Sequence, residues 1–154
     1  YADDDQTQKW LRSWRALPAG QNNLKRSAHH SLQLDAETGV GLEQYPGYDA
    51  EKLLTEAGLY LTTEAGDYLT TDAYTAAPGY DPQVMLRWSD DAGHTWSNEH
   101  WNSMGKIGAY GTRTIWRRLG MTEKIRDRVY EVSGTDPVKI AIVGAELFVT
   151  PTSS

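Results

Sequence analysis

Few residues of this chain could do chemistry, and their spacing sets most of them to structural work. Four histidines are present: His29, His30, His94 and His100. His29 and His30 are adjacent, so in a strand they face opposite sides and cannot share a metal without distortion. No helix or strand spacing collects the three ligands that a zinc site needs. Asp90-Asp91-x-Gly93 lacks the further oxygen ligands of a calcium loop. The expectation is no metal and no cofactor. Cysteine is absent, which removes disulfides, thiolate metal sites and a Cys nucleophile. No Gly-rich phosphate loop follows a strand and opens a helix, and no Gly-x-Ser-x-Gly elbow occurs. The 21 acids do not single out a glycosidase carboxylate pair. The sequence thus predicts a protein that is not an enzyme.

Residues 87–97 carry the most specific pattern, Ser-x-Asp-x-Gly-x-Thr-Trp, in Ser89, Asp91, Gly93, Thr95 and Trp96. Gly93 supplies a positive φ that Ala or Thr would resist. The Ser89 hydroxyl and Asp91 carboxylate are placed to accept turn N–H groups. Trp96 is expected to fold under the hairpin, with its indole N–H on a carbonyl. The pattern resembles the Asp-box β-hairpin, whose residues shape a turn and do no chemistry. Asp91 is therefore read as a structural residue.

Charge supplies the second candidate. The net charge is −6, yet the ten acids from Asp35 to Asp81 face only one base there, Lys52. That segment carries −9 and the remainder +3. The basic side includes Arg113, Arg117, Arg118, Arg126 and Arg128. Guanidinium forks suit carboxylates and phosphates, so these five predict an interface, either with a neighbouring copy head to tail or along DNA. The acidic balance of the whole chain argues against wrapping duplex DNA.

These residues need elements to hold them. A chain of 154 residues predicts a single domain (1–154) able to bury its own core. The longest apolar run, Ile140 to Ala145, is far too short to span a bilayer. The chain opens at Tyr1 without Met, which predicts a processed product or a fragment. Segment 1–23 reads as a terminal stretch and a loop: Asp3-Asp4-Asp5 frays, and Pro18 to Asn23 forms a connection. Between them Trp10, Leu11, Trp14 and Leu17 fit a helix, while Trp10, Arg12 and Trp14 fit one side of a strand equally.

Strand signals follow at 27–35, 84–88, 95–97, 112–119, 128–133, 138–143 and 146–150. In 112–119 Ile115 and Leu119 are expected on one face and Trp116 on the other. Segment 44–80 holds a near-repeat of period eight, Glu56 to Thr63 and Glu64 to Thr71. It reads as an acidic β-hairpin or meander inserted between sheet strands. Short strands at this spacing predict an all-β fold, an antiparallel β-sandwich or jelly roll, with part of a β-propeller as the alternative.

Four stretches then carry a family resemblance: Asp81 to Asp91, Ile115 to Gly120, Asp127 to Val132 and Asp136 to Lys139. In this order they resemble the C-terminal part of the packaged-DNA-stabilisation (head-completion or tail-hub) proteins of short-tailed bacteriophages, over about residues 81–148. The resemblance implies a virion structural protein assembled in the host cytoplasm. Such proteins oligomerise at the portal vertex, help retain packaged DNA and attach tail parts. No catalytic residue follows from it. Members are longer than this chain, and the 44–80 repeat has no counterpart in the pattern.

Composition leaves a different class open. Six Trp and nine Tyr stand against one Phe. Such rings are suited to half-buried sheet faces and to sugar stacking. A carbohydrate-binding module, with Trp101 as a stacking platform, is the alternative, and a glycosidase fragment is a weaker third.

Overall fold

A computed structural model describes residues 2–3, 6–17, 26–42, 55–56, 58–64, 66, 79–123 and 128–152. Among them there are nine strands and no helix: β1 Ala2–Asp3, β2 Gln6–Thr7, β3 Trp10–Arg15, β4 Ser27–Ala36, β5 Gln83–Ser89, β6 His100–Ser103, β7 Thr114–Met121, β8 Val129–Gly134 and β9 Ile142–Pro151. Strands β1 and β2 pair with each other, Asp3 opposite Gln6; Asp4 and Asp5 lie outside the described residues. The other seven form two antiparallel sheets, ordered β3-β8-β5-β6 and β7-β4-β9.

Alternation explains how the sheets stack. Val84 and Leu86 of β5 share a face with Tyr130 and Val132 of β8. Leu32 and Leu34 of β4 face them from the second sheet, with Trp116 and Leu119 of β7 and with Met104. Each fully buried aliphatic side chain stabilises the fold by roughly 1.5–3 kcal/mol, so this shared layer holds the sheets together. The protein is a β-sandwich, as the sequence predicts, and the propeller alternative falls away. Trp10 to Arg15 is strand, with Trp10 and Trp14 packed half-buried on the core, which resolves the helix-or-strand ambiguity.

Three local readings need correction. Leu119 is buried on the same face as Trp116, because Arg118 takes a φ of 60° where the β4–β7 register shifts between His29 and Ser31. The bulge adds a residue and turns Leu119 inward. Residues 138–141 are not strand; β9 starts at Ile142 and runs through Gly144 as one element. Thr95 to Ser97 is not strand either. Ser97 N–H donates to the Trp88 carbonyl at 2.8 Å, and pairing with β5 resumes only at His100 opposite Leu86.

The connection between β4 and β5 leaves and re-enters the sandwich at one place. Leu42 N–H donates to the Gly79 carbonyl at 2.6 Å. The Asp136 carboxylate fixes the return, accepting from Gly79 N–H at 3.1 Å and Gln83 N–H at 2.7 Å. Residues 43–54, 57, 65 and 67–78 in this connection lie outside the described residues. Within it, Gly58 N–H reaches Thr55 O and Gly66 N–H reaches Thr63 O, both at 2.9 Å. The two units therefore repeat one turn.

Candidate functional site

The turn after β5 is built as its residue types dictate. Ser89 sits 1% exposed and accepts from Gly93 N–H at 2.8 Å. Its hydroxyl donates to Asp91 Oδ1 at 2.6 Å. The Asp91 carboxylate also accepts from Thr95 N–H at 2.8 Å and from the Thr95 hydroxyl at 2.6 Å. The bonds from Ser89 and then Thr95 hold the Asp91 carboxyl well below the usual carboxylate range. Gly93 has φ 96°, preceded by Ala92 at 61°, so two consecutive left-handed residues make the bend. Trp96 is half-buried, and the Arg87 guanidinium lies 4.7 Å over its ring. Arg87 is itself ion-paired to Glu131. These side chains spend their polar atoms on the turn and its flank.

Beside the turn lies a buried polar cluster that the sequence reading missed. Arg128 is 2% exposed. Its Nε and Nη2 donate to the two Asp90 oxygens at 2.7 and 2.9 Å. The same guanidinium donates to the carbonyls of Leu119 and Met121 in β7, and it lies 5.4 Å from the Trp88 ring centroid. Burial is the largest influence and disfavours its charge, but Asp90 and Tyr130 together outweigh it and raise the Arg128 pKa. Arg128 therefore ties one sheet to the other and does not belong to a surface patch, which corrects its reading as an interface residue. The signal was faint: an arginine in an arginine-rich stretch reads as exposed, and its partner is 38 residues away.

His29 extends this cluster. Its Nδ1 is 2.8 Å from the Tyr130 hydroxyl and its Nε2 is 3.0 Å from Ser27 Oγ. Burial, then the nearby Arg128 charge, lowers the His29 pKa to about 4. Burial pushes the Tyr130 phenol up to about 12. A Ser–His contact of this kind invites a catalytic reading, but Ser27 and His29 are 4% and 2% exposed. A base of such low pKa is also a poor acceptor for a serine proton. His30, on the opposite side of β4, is exposed and meets the Thr150 hydroxyl at 2.8 Å. His100 stacks on Trp88 at 4.8 Å, and His94 is exposed in the turn.

The remaining arginines part company. Arg126 lies outside the described residues. Arg113, Arg117 and Arg118 are exposed, and among the described residues none of the three forms an ion pair. Arg117 stands opposite Ser31, which stands opposite Phe148, across the outward face of β7-β4-β9. Phe148 and Met121 are 55% and 48% exposed on that sheet. At the bulge, Arg117, Arg118, His30, Ser31 and Met121 border a shallow groove. This face combines exposed cationic forks with apolar surface. Such a mixture suits association with an acidic, partly apolar partner.

On the other sheet Leu11, Ser133, Met85 and Trp101 stand opposite one another; Ser133 and Met85 in the middle of this row are buried, and its ends Leu11 and Trp101 are exposed. Trp101 is 59% exposed.

Residues 9–150 match the sequence model of a protein family described as "Bacteriophage P22 Gp10, beta-sandwich". The match reaches well beyond the stretch from Asp81 to Phe148 and takes in β3 and β4. No curated protein matches the chain.

Proposed function

We propose, on the premise that this chain belongs to the bacteriophage P22 Gp10 β-sandwich family, that it is a structural component of a phage tail hub. In this reading it acts through its surfaces, assembling with further copies of itself and with neighbouring tail and portal proteins in the virion. Retention of packaged DNA and attachment of tail parts would follow from that assembly and not from bond-making chemistry. The observation that carries the reading is the outward β7-β4-β9 face, where Arg117 and Arg118 are exposed and have no ion pair among the described residues; Arg113, just before β7, is exposed as well. An acidic segment of net −9 from Asp35 to Pro82 in the same chain makes head-to-tail contact between copies the economical arrangement. Arg113 belongs to this interface with Arg117 and Arg118; Arg126 joins it on sequence grounds alone.

The test is molecular mass by light scattering across a salt series. Attraction between exposed charges is screened within about 8–10 Å at physiological salt. The mass should therefore fall toward that of one chain as salt rises. A protein monomeric at every salt and concentration contradicts the reading.

Trp101 supports a second reading, a carbohydrate-binding module. An exposed indole on a sheet face is a stacking platform for a sugar ring. Glycan-array binding that disappears in Trp101→Ala would favour it, and a blank array at high protein concentration removes it.

A further inference from the structure

We propose that the repeat-bearing segment between Leu42 and Gly79 of one copy docks on the outward β7-β4-β9 face of a second copy, its glutamates meeting Arg117 and Arg118. The inference rests on the assembly reading above and names the two surfaces that meet.

Three observations converge on it. The segment from residue 43 to 78 holds seven acids and one lysine, while the receiving face offers Arg117 and Arg118 beside a groove. Charge complementarity of this kind sets register and partner choice.

The apolar surfaces match as well. In the segment Leu59, Tyr60 and Leu61 are 68%, 55% and 38% exposed. On the sheet face Phe148 and Met121 are exposed to a similar degree. Apolar surface that stays in water on both partners gains by mutual burial.

The geometry repeats. Glu56 and Glu64 occupy the same position in two like turns, Thr55–Gly58 and Thr63–Gly66, whose glycines have φ of 77° and 88°. Each turn thus carries one exposed carboxylate. Arg117 and Arg118 are consecutive, and the bulge at Arg118 (φ 60°) leaves both exposed. The Leu42–Gly79 backbone bond closes the base of the segment, so its contacts with a neighbour need not disturb the sandwich.

Charge reversal in the full chain tests the pairing. The variants are Glu56→Arg with Glu64→Arg, Arg117→Glu with Arg118→Glu, and all four together. Self-association is measured by sedimentation at about 0.05 M and about 0.5 M salt, with thermal melting as the check on folding. Each reversed pair should weaken association about tenfold or more at low salt, and the fourfold variant should recover most of the loss.

If the arginine reversal weakens association and the glutamate reversal does not, the oligomer stands but this segment is not its acidic partner. If neither reversal matters while the wild type still associates, both surfaces are wrong. If the wild type never associates, the assembly reading itself fails, and this inference with it. If instead a short DNA duplex binds through Arg117 and Arg118 and association is indifferent to Glu56 and Glu64, the face serves nucleic acid and the proposal is overturned.

Discussion

Arg128 grips Asp90 through two parallel hydrogen bonds, 2.7 and 2.9 Å long, from inside the protein. Removing one partner of a buried pair strands the other charge, at a cost of about 3–5 kcal/mol. Asp90→Asn should therefore lower the unfolding free energy in urea by about that amount. Asp90→Leu combined with Arg128→Met should cost less than the sum of the single changes, because no bare charge remains. A loss under about 1 kcal/mol for Asp90→Asn would show that water reaches Arg128.

His29 makes stability depend on pH. Its folded pKa is about 4 against 6.5 for the free side chain. Between those values the unfolded chain binds a proton that the folded one refuses, so stability falls as pH drops through this window. Below about 4 both states are protonated and the His29 contribution to the slope ends. The loss across the whole window is on the order of 3 kcal/mol. Asp91 acts lower: its carboxyl is depressed by Ser89 and Thr95, so its contribution is present above the unfolded value of 3.8 and is lost as pH falls below that. Urea midpoints of wild type and His29→Gln at pH 7 and pH 5 separate the two groups. The variant should lose most of the pH 5 deficit, and equal deficits would reject the assignment.

The turn tolerates little. Ser89→Ala leaves the Gly93 N–H without its acceptor and should cost about 1–3 kcal/mol. Gly93→Ala forces a methyl group onto a φ of 96° and should cost about 1–2 kcal/mol. Thermal melting measures both. An unshifted melting temperature in either variant would mean that the loop has an equally good alternative conformation.

Gly41 tests a close approach. A Cβ there would press on the Tyr80 carbonyl and come within 2.8 Å of Ile107 N. Both obstacles are backbone and cannot swing away. Gly41→Ala should destabilise by about 2–3 kcal/mol. At Gly58 a Cβ meets nothing within 4 Å, so Gly58→Ala pays only for its left-handed φ, about 1 kcal/mol. Equal effects at the two positions would refute the steric argument.

The parts of this fold that could be read in advance are those governed by neighbours in sequence. The alternation of Leu32 with Leu34 and of Tyr130 with Val132 sets their inward face whatever lies opposite. Ser89, Asp91 and Gly93 bond within five residues of one another, so the turn was readable from its letters. The misreadings share the opposite property. Leu119 changes face because a bulge forms against His29 and Ser31, and no local pattern near residue 118 announces it. Arg128 is buried because Asp90 and two β7 carbonyls receive it, and these come together only after folding. Residues 138–141 look like strand by composition, yet Val138 is buried without ladder partners and β9 pairs with β4 only from Ile142 onward. The surface reading of Arg113, Arg117 and Arg118 followed from charge alone, and Arg128 shows how far that rule extends.

The contact of Leu42 with Gly79 has an evolutionary corollary. A span whose two ends touch can lengthen, shorten or change its lettering without moving any strand register. Selection can then hold the sandwich constant while the span diversifies to suit a particular host particle, and a foreign peptide grafted between these two residues would be displayed on an undisturbed scaffold.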